Sequence, residues 1–75
     1  MKYPVIDVKA TGKNIMELRR ESGITVRELC RYLGMENTNS AYRWFRGEAL
    51  PTLDNLYAIS VLFGVSMNEI VICEN

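Results

Sequence analysis

Seventy-five residues, 48% of them hydrophobic and 24% charged, suffice for one small folded domain and are too apolar for a disordered chain. Nine basic and nine acidic residues cancel, histidine is absent, and the two cysteines, Cys30 and Cys73, match no metal-ligand spacing. Metal binding, histidine-based catalysis and a resident cofactor are therefore not expected, and Cys30 without a histidine to activate it does not read as a nucleophile.

The opening "MKYPVIDVKATG" interrupts its short apolar run with a charge and a proline, so it does not read as a secretion signal. With no run of ~18 apolar residues, the expectation is a cytoplasmic protein without a membrane span, its cysteines reduced. The whole chain, 1–75, is expected to be a single domain, with an N-terminal arm over 1–11, a helical core over 12–70 and a tail over 71–75.

Five helical signals follow in chain order, punctuated by glycines. The first runs from about Lys13 to Ser22, with Ile15 and Leu18 inward and Gly23 as a C-cap. The second opens on a T-x-x-E capping box, Thr25 to Glu28. Its apolar stripe, Val26, Leu29, Cys30 and Leu33, has the i, i+3, i+4, i+7 spacing of one helix face, and Gly34 ends it.

The third segment, "NTNSAYRWFRG", takes Asn37 as its N-cap and Gly47 as its stop. At ~100° per residue, Ala41, Trp44 and Phe45 share one arc, whereas Asn39, Ser40, Tyr42, Arg43 and Arg46 share the opposite one. This helix packs through Ala41 and Trp44 and turns two arginines, an asparagine, a serine and a tyrosine outward.

Pro51 precedes Thr52, which caps a fourth helix with Leu53, Leu56, Ile59, Ser60 and Phe63 inward and Gly64 at its end. Ser66 to Glu69 is a second capping box and opens a short fifth helix ending near Ile70. The β-branched ends, Val5 to Val8 and Ile70 to Cys73, read either as a two-stranded pair, within one chain or between two, or as extended tails. The expected core is Ile15, Leu18, Leu29, Cys30, Leu33, Ala41, Trp44, Leu53, Leu56, Ile59, Phe63 and Ile70.

Zero net charge hides a strong polarity. From Lys13 to Arg46 there are seven bases and four acids, seven minus four leaving +3, whereas from Gly47 onward there are four acids and no base. The ordered set "ITVRELCRYLG", "RWFRG", "LPTLDNLYAIS" and "LFGVSMNEI" resembles the phage-repressor (Cro/Xre-like) helix-turn-helix family over roughly Gly12 to Ile70. The elements that carry the resemblance are T-x-x-E-L at Thr25 to Leu29, Gly34, W-x-x-G at Trp44 to Gly47, Pro51 with L-x-x-L at Leu53 to Leu56, and F-G-V-S at Phe63 to Ser66.

That resemblance implies an all-α, compact five-helix bundle of the lambda-repressor-like type that binds double-stranded DNA, its third helix in the major groove. It implies Thr38, Asn39 and Arg43 as base readers, with Ser40, Tyr42 and Arg46 beside them on phosphate or sugar; Arg27, or a backbone N–H, is expected to replace the phosphate contact that Val26 cannot make. A transcriptional repressor acting as a homodimer is the leading expectation. The alternatives are an antitoxin-type chain with a toxin-like protein partner, and a domain of the same fold that works through protein contacts with weak or no DNA binding.

Three departures from the family pattern bear on this. Val26 stands where many members place a phosphate-anchoring Gln. Phe45 stands where many have Glu or Gln, which leaves Arg19 to stack on the ring or to reach DNA. The turn "GMENT" is one residue longer than the commonest form, which leaves Thr38 a less certain reader than Arg43.

Overall fold

A computed structural model describes residues 2–74 of the chain. It contains five helices: α1 Val8–Ser22, α2 Val26–Tyr32, α3 Asn39–Phe45, α4 Leu53–Phe63 and α5 Met67–Ile70. Both expected capping boxes form, with Thr25 Oγ1 accepting from Glu28 N at 3.0 Å and Ser66 Oγ accepting from Glu69 N at 3.2 Å. Thr52 caps α4 by accepting from Asn55 N at 3.3 Å. Gly23, Gly34, Gly47 and Gly64, read above as helix stops, all take left-handed backbone angles.

Helix α1 begins at Val8, five residues before the expected Lys13, so the expected arm over 1–11 is cut short at Asp7, whose side chain caps Ala10 N at 2.9 Å. The Thr11-Gly12 pair reads locally as a helix breaker. Tertiary packing overrides that preference. Gly12 lies where α1 passes the end of α3, and a Cβ there would fall on the Trp44 carbonyl, with the Trp44 carbonyl carbon 2.6 Å away. The helix gives up the stability of a side chain at this position so that two backbones can touch.

Thr11, also buried, ties α1 to the C-terminal segment. Its hydroxyl accepts from Ile72 N at 2.9 Å and faces Ile72 O at 3.4 Å. One turn on, Asn14 Nδ2 donates to Glu69 O at 2.9 Å and Ile70 O at 3.0 Å, taking up carbonyls that the short α5 leaves unpaired. These two polar side chains close the bundle, and neither stood out in the sequence.

The ends pair within the chain, and more briefly than two strands would. Ile6 and Cys73 form an isolated antiparallel bridge, flanked by Asp7 N to Ile72 O at 2.7 Å and Glu74 N to Val5 O at 2.8 Å. Val8 is already helical and Ile70 still is, so two elements leave no room for a ladder.

The buried core is Ile15, Leu29, Cys30, Ala41, Trp44, Ile59 and Ile70, with Leu18, Leu33, Leu56 and Phe63 half-buried against it. Leu53, placed in the core above, is 71% exposed. It is the first residue of α4, at the edge of the arc centred on Leu56, Ile59 and Phe63, and it falls beside Tyr57 and Val61, which are 61% and 57% exposed. Cys30 is a buried free thiol whose burial raises its pKa, and Cys73 is an exposed free thiol. Among the described residues, no helix is long and apolar enough to cross a membrane.

Candidate nucleic-acid interface

Helix α3 is anchored by Ala41 and Trp44, which are 0% and 3% exposed, with Phe45 half-buried beside them. Asn39, Ser40, Tyr42, Arg43 and Arg46 are exposed, and Thr38 is half-buried at the start of the helix. The two arcs read from periodicity are therefore the inner and outer faces. Tyr42 meets the edge of Phe45 at 5.7 Å between ring centroids and 88° between planes, which braces the phenol at the border of the polar face.

The start of α3 differs from expectation. The cap position is Thr38, which makes no side-chain cap bond, whereas Asn37 Oδ1 accepts from Asn39 N at 3.0 Å. An Asn side chain bonding two residues ahead forms an Asx turn, which here closes on Asn39, the first residue of α3. Between α2 and this turn lies an open cleft of about 400 Å³ lined by Arg27, Cys30, Arg31, Met35, Glu36, Asn37 and Thr38. It gathers Arg27 and Thr38 with Arg31, a residue not singled out above although it lies one turn beyond Arg27. The outer-face residues of α3 do not line it.

The departures noted in the sequence have structural reasons. Val26 is half-buried against the core, so its side chain serves packing. Arg19 is not free to reach outward: its Nη1 donates to Ile24 O at 2.8 Å across the α1–α2 turn, and its Nε is buried without a hydrogen-bond partner. The guanidinium thus secures the turn that launches α2.

At the far end of α3 the arginines are not isolated. Arg46 grips Glu48 with two bonds, Nε to Oε2 at 2.7 Å and Nη2 to Oε1 at 3.3 Å. Arg43 Nε stands 3.9 Å from the same Glu48 Oε1. The hydrogen bond from Arg46 holds the Glu48 carboxyl below the usual carboxylate range, and the same bond raises Arg46. Glu48 was not among the expected site residues, although a carboxylate two residues beyond an arginine and just past a helix-ending glycine was visible as a possible partner.

Two consecutive short helices joined by the connection 33–38, the second buried on one side and polar and basic on the other, define a helix-turn-helix DNA-binding module. Residues 15–70 match the helix-turn-helix family model HTH_3. The chain belongs to this family, a non-enzymatic class of DNA-binding regulators of the Cro/C1 type.

Solved structures of the same fold include the restriction-modification controller protein C.AhdI from Aeromonas hydrophila, with TM-score 0.74 and 20% identity, covering 85% of this chain and 96% of that one. The DNA-binding domain of BldD gives TM-score 0.71 and 16% identity, covering 88% and 94%. The clp gene regulator ClgR from Corynebacterium glutamicum gives 0.73 and 21%, covering 83% of this chain and 65% of that one. No curated protein sequence matches significantly.

Proposed function

We propose that this chain is a sequence-selective transcriptional repressor that binds double-stranded DNA as a homodimer, with α3 in the major groove. The observation that carries the reading is the outward face of α3: Asn39, Ser40, Tyr42, Arg43 and Arg46 stand exposed on a helix fixed from behind by Ala41 and Trp44. The chemistry suits the task, since Asn can pair bidentately with adenine and Arg with guanine. The restriction-modification controller and the clp gene regulator among the similar structures support a regulatory role.

Arg43 and Arg46 should fail differently. Arg43 lies one turn beyond Asn39, within reach of neighbouring base edges, whereas Arg46 sits at the C-cap, where the helix leaves the groove toward the backbone. Arg43→Ala is expected to cost ~1–3 kcal/mol on a site selected from a random DNA pool and to relax one base position. Arg46→Ala is expected to weaken all sequences alike and to lower the salt slope by about one unit. Binding to the selected site, a single mismatch and random DNA over a salt series reads both. Equal loss on all three DNAs for Arg43→Ala would remove α3 as the base reader. No effect from either variant would move the protein-contact alternative to first place.

The homodimer reading follows from the limited number of base contacts one short helix can make and from the two-fold symmetry of paired half-sites, ~10 bp apart. The arm is a poor candidate for the contact, because the Val5 carbonyl and the Asp7 N–H and carbonyl are bonded within the chain. The exposed stripe Leu53, Tyr57 and Val61, spaced by four along α4, suits a second copy better. A Leu53→Ser, Tyr57→Ser double variant is expected to sediment as a monomer while keeping its helical circular dichroism. Unchanged sedimentation at equal concentration would exclude this surface.

A further inference from the structure

We propose that Glu48 is a resident competitor for the anions that Arg43 and Arg46 would otherwise meet, and that it sets how tightly this face holds DNA. The inference rests on the DNA-binding reading above and names a residue that tunes its affinity. The position of Glu48 is built by the backbone. Gly47 N donates to Trp44 O at 3.0 Å and Glu48 N to Arg43 O at 2.9 Å, the two bonds of a Schellman motif. Gly47 is itself pinned: its φ is +77°, and a Cβ there would stand 2.8 Å from the Lys9 Cα. The chain is thereby turned back over the last turn of α3, and the carboxylate arrives between the two guanidinium groups.

A carboxylate at a helix C-terminus stands at the wrong end of the helix dipole. Here it is held by charge-assisted bonds to Arg46 and by the nearby Arg43, and the three side chains are about half-exposed. An exposed ion pair is weak enough for a phosphate to displace, yet it must be given up or shared whenever the arginines turn to DNA. Binding to any duplex draws on phosphate charge, so it feels this competition. On a matched site Arg43 also gains base-edge hydrogen bonds, which add to the affinity without lessening the cost of leaving Glu48. Glu48 therefore lowers affinity for random DNA and for the right site alike.

The test compares wild-type protein with Glu48→Gln, which keeps size and hydrogen bonding and removes the charge, on a selected duplex and on random duplex over a salt series. Circular dichroism checks that the exposed substitution leaves the fold intact. Glu48→Gln is expected to bind random duplex about three- to tenfold more tightly at low salt, with the log–log salt slope steeper by about one unit. A similar gain is expected on the selected site, so the ratio between the two is held. The same substitution in an Arg46→Gln background is expected to give less than half that gain, because the competition runs through the arginines.

An equal gain in both backgrounds would show direct repulsion of DNA by Glu48 and overturn the proposal. Wild-type binding that Glu48→Gln leaves unchanged or weakens overturns it too, with the DNA-binding reading intact. If neither protein binds any duplex, the two readings fall together, whereas duplex binding gained only by Glu48→Gln supports the competition.

Discussion

Gly12→Ala is expected to be among the most damaging single substitutions in this molecule, although it exchanges a poor helix former for the best one. In an open helix interior that exchange would stabilise by roughly 1 kcal/mol. Here the added methyl meets the backbone of Trp44, a carbonyl that cannot rotate away as a side-chain tip could. Overpacking of a close-packed core typically costs ~1–3 kcal/mol, and a clash with backbone belongs at or beyond the top of that range. A net loss of ~2 kcal/mol or more is therefore expected in urea unfolding, against a total stability of roughly 4–11 kcal/mol at ~0.05–0.15 kcal/mol per residue. The displaced helix is α3, so DNA binding should weaken at temperatures where the protein is still folded. A Gly12→Ala protein that unfolds at or above the parent's midpoint would show that α1 and α3 do not approach as described.

Trp44→Ala is expected to cost ~3–5 kcal/mol, the range for truncating a large buried aromatic. The side chain is 3% exposed and belongs to the cluster containing Ile15, Leu29, Cys30, Ala41, Ile59 and Ile70. Its loss opens a cavity behind the outward face of α3, removing the support that keeps Asn39 and Arg43 facing outward. Thermal and denaturant unfolding of the variant should show a sharply lowered midpoint. A variant that melts with the parent would place Trp44 on the surface and invert the orientation of α3. The two substitutions act on one residue, Gly12→Ala against the Trp44 carbonyl and Trp44→Ala by removing its indole, so their effects should not add.

The ordered helical segments were legible because local rules and packing agree there. Thr25 with Glu28 and Ser66 with Glu69 are complete capping boxes, and each acts within four residues. The 3.6-residue period separated Ala41 and Trp44 from Asn39, Tyr42, Arg43 and Arg46 without knowledge of any neighbour. In the sequence, the helix-turn-helix class rests on a resemblance, carried by the motifs from Thr25 to Ser66 in their order, rather than on caps or period.

What the sequence by itself determined is therefore the helix order, their glycine stops and the polarity of α3, since caps, left-handed turns and helical period are decided within a few residues. Only the tertiary structure decided what depends on residues far apart in the chain. Thr11 and Gly12 are helical because Ile72 and Trp44 lie against them, 61 and 32 positions away. Leu53 is exposed because the apolar arc of α4 extends past the core's edge, which the period alone does not reveal. Arg19 turns inward to the Ile24 carbonyl because α1 and α2 leave it that acceptor. Glu48 stands between Arg43 and Arg46 because Gly47 turns the chain back over α3, so the net charge of the outward face depends on a backbone angle as well as on its side chains.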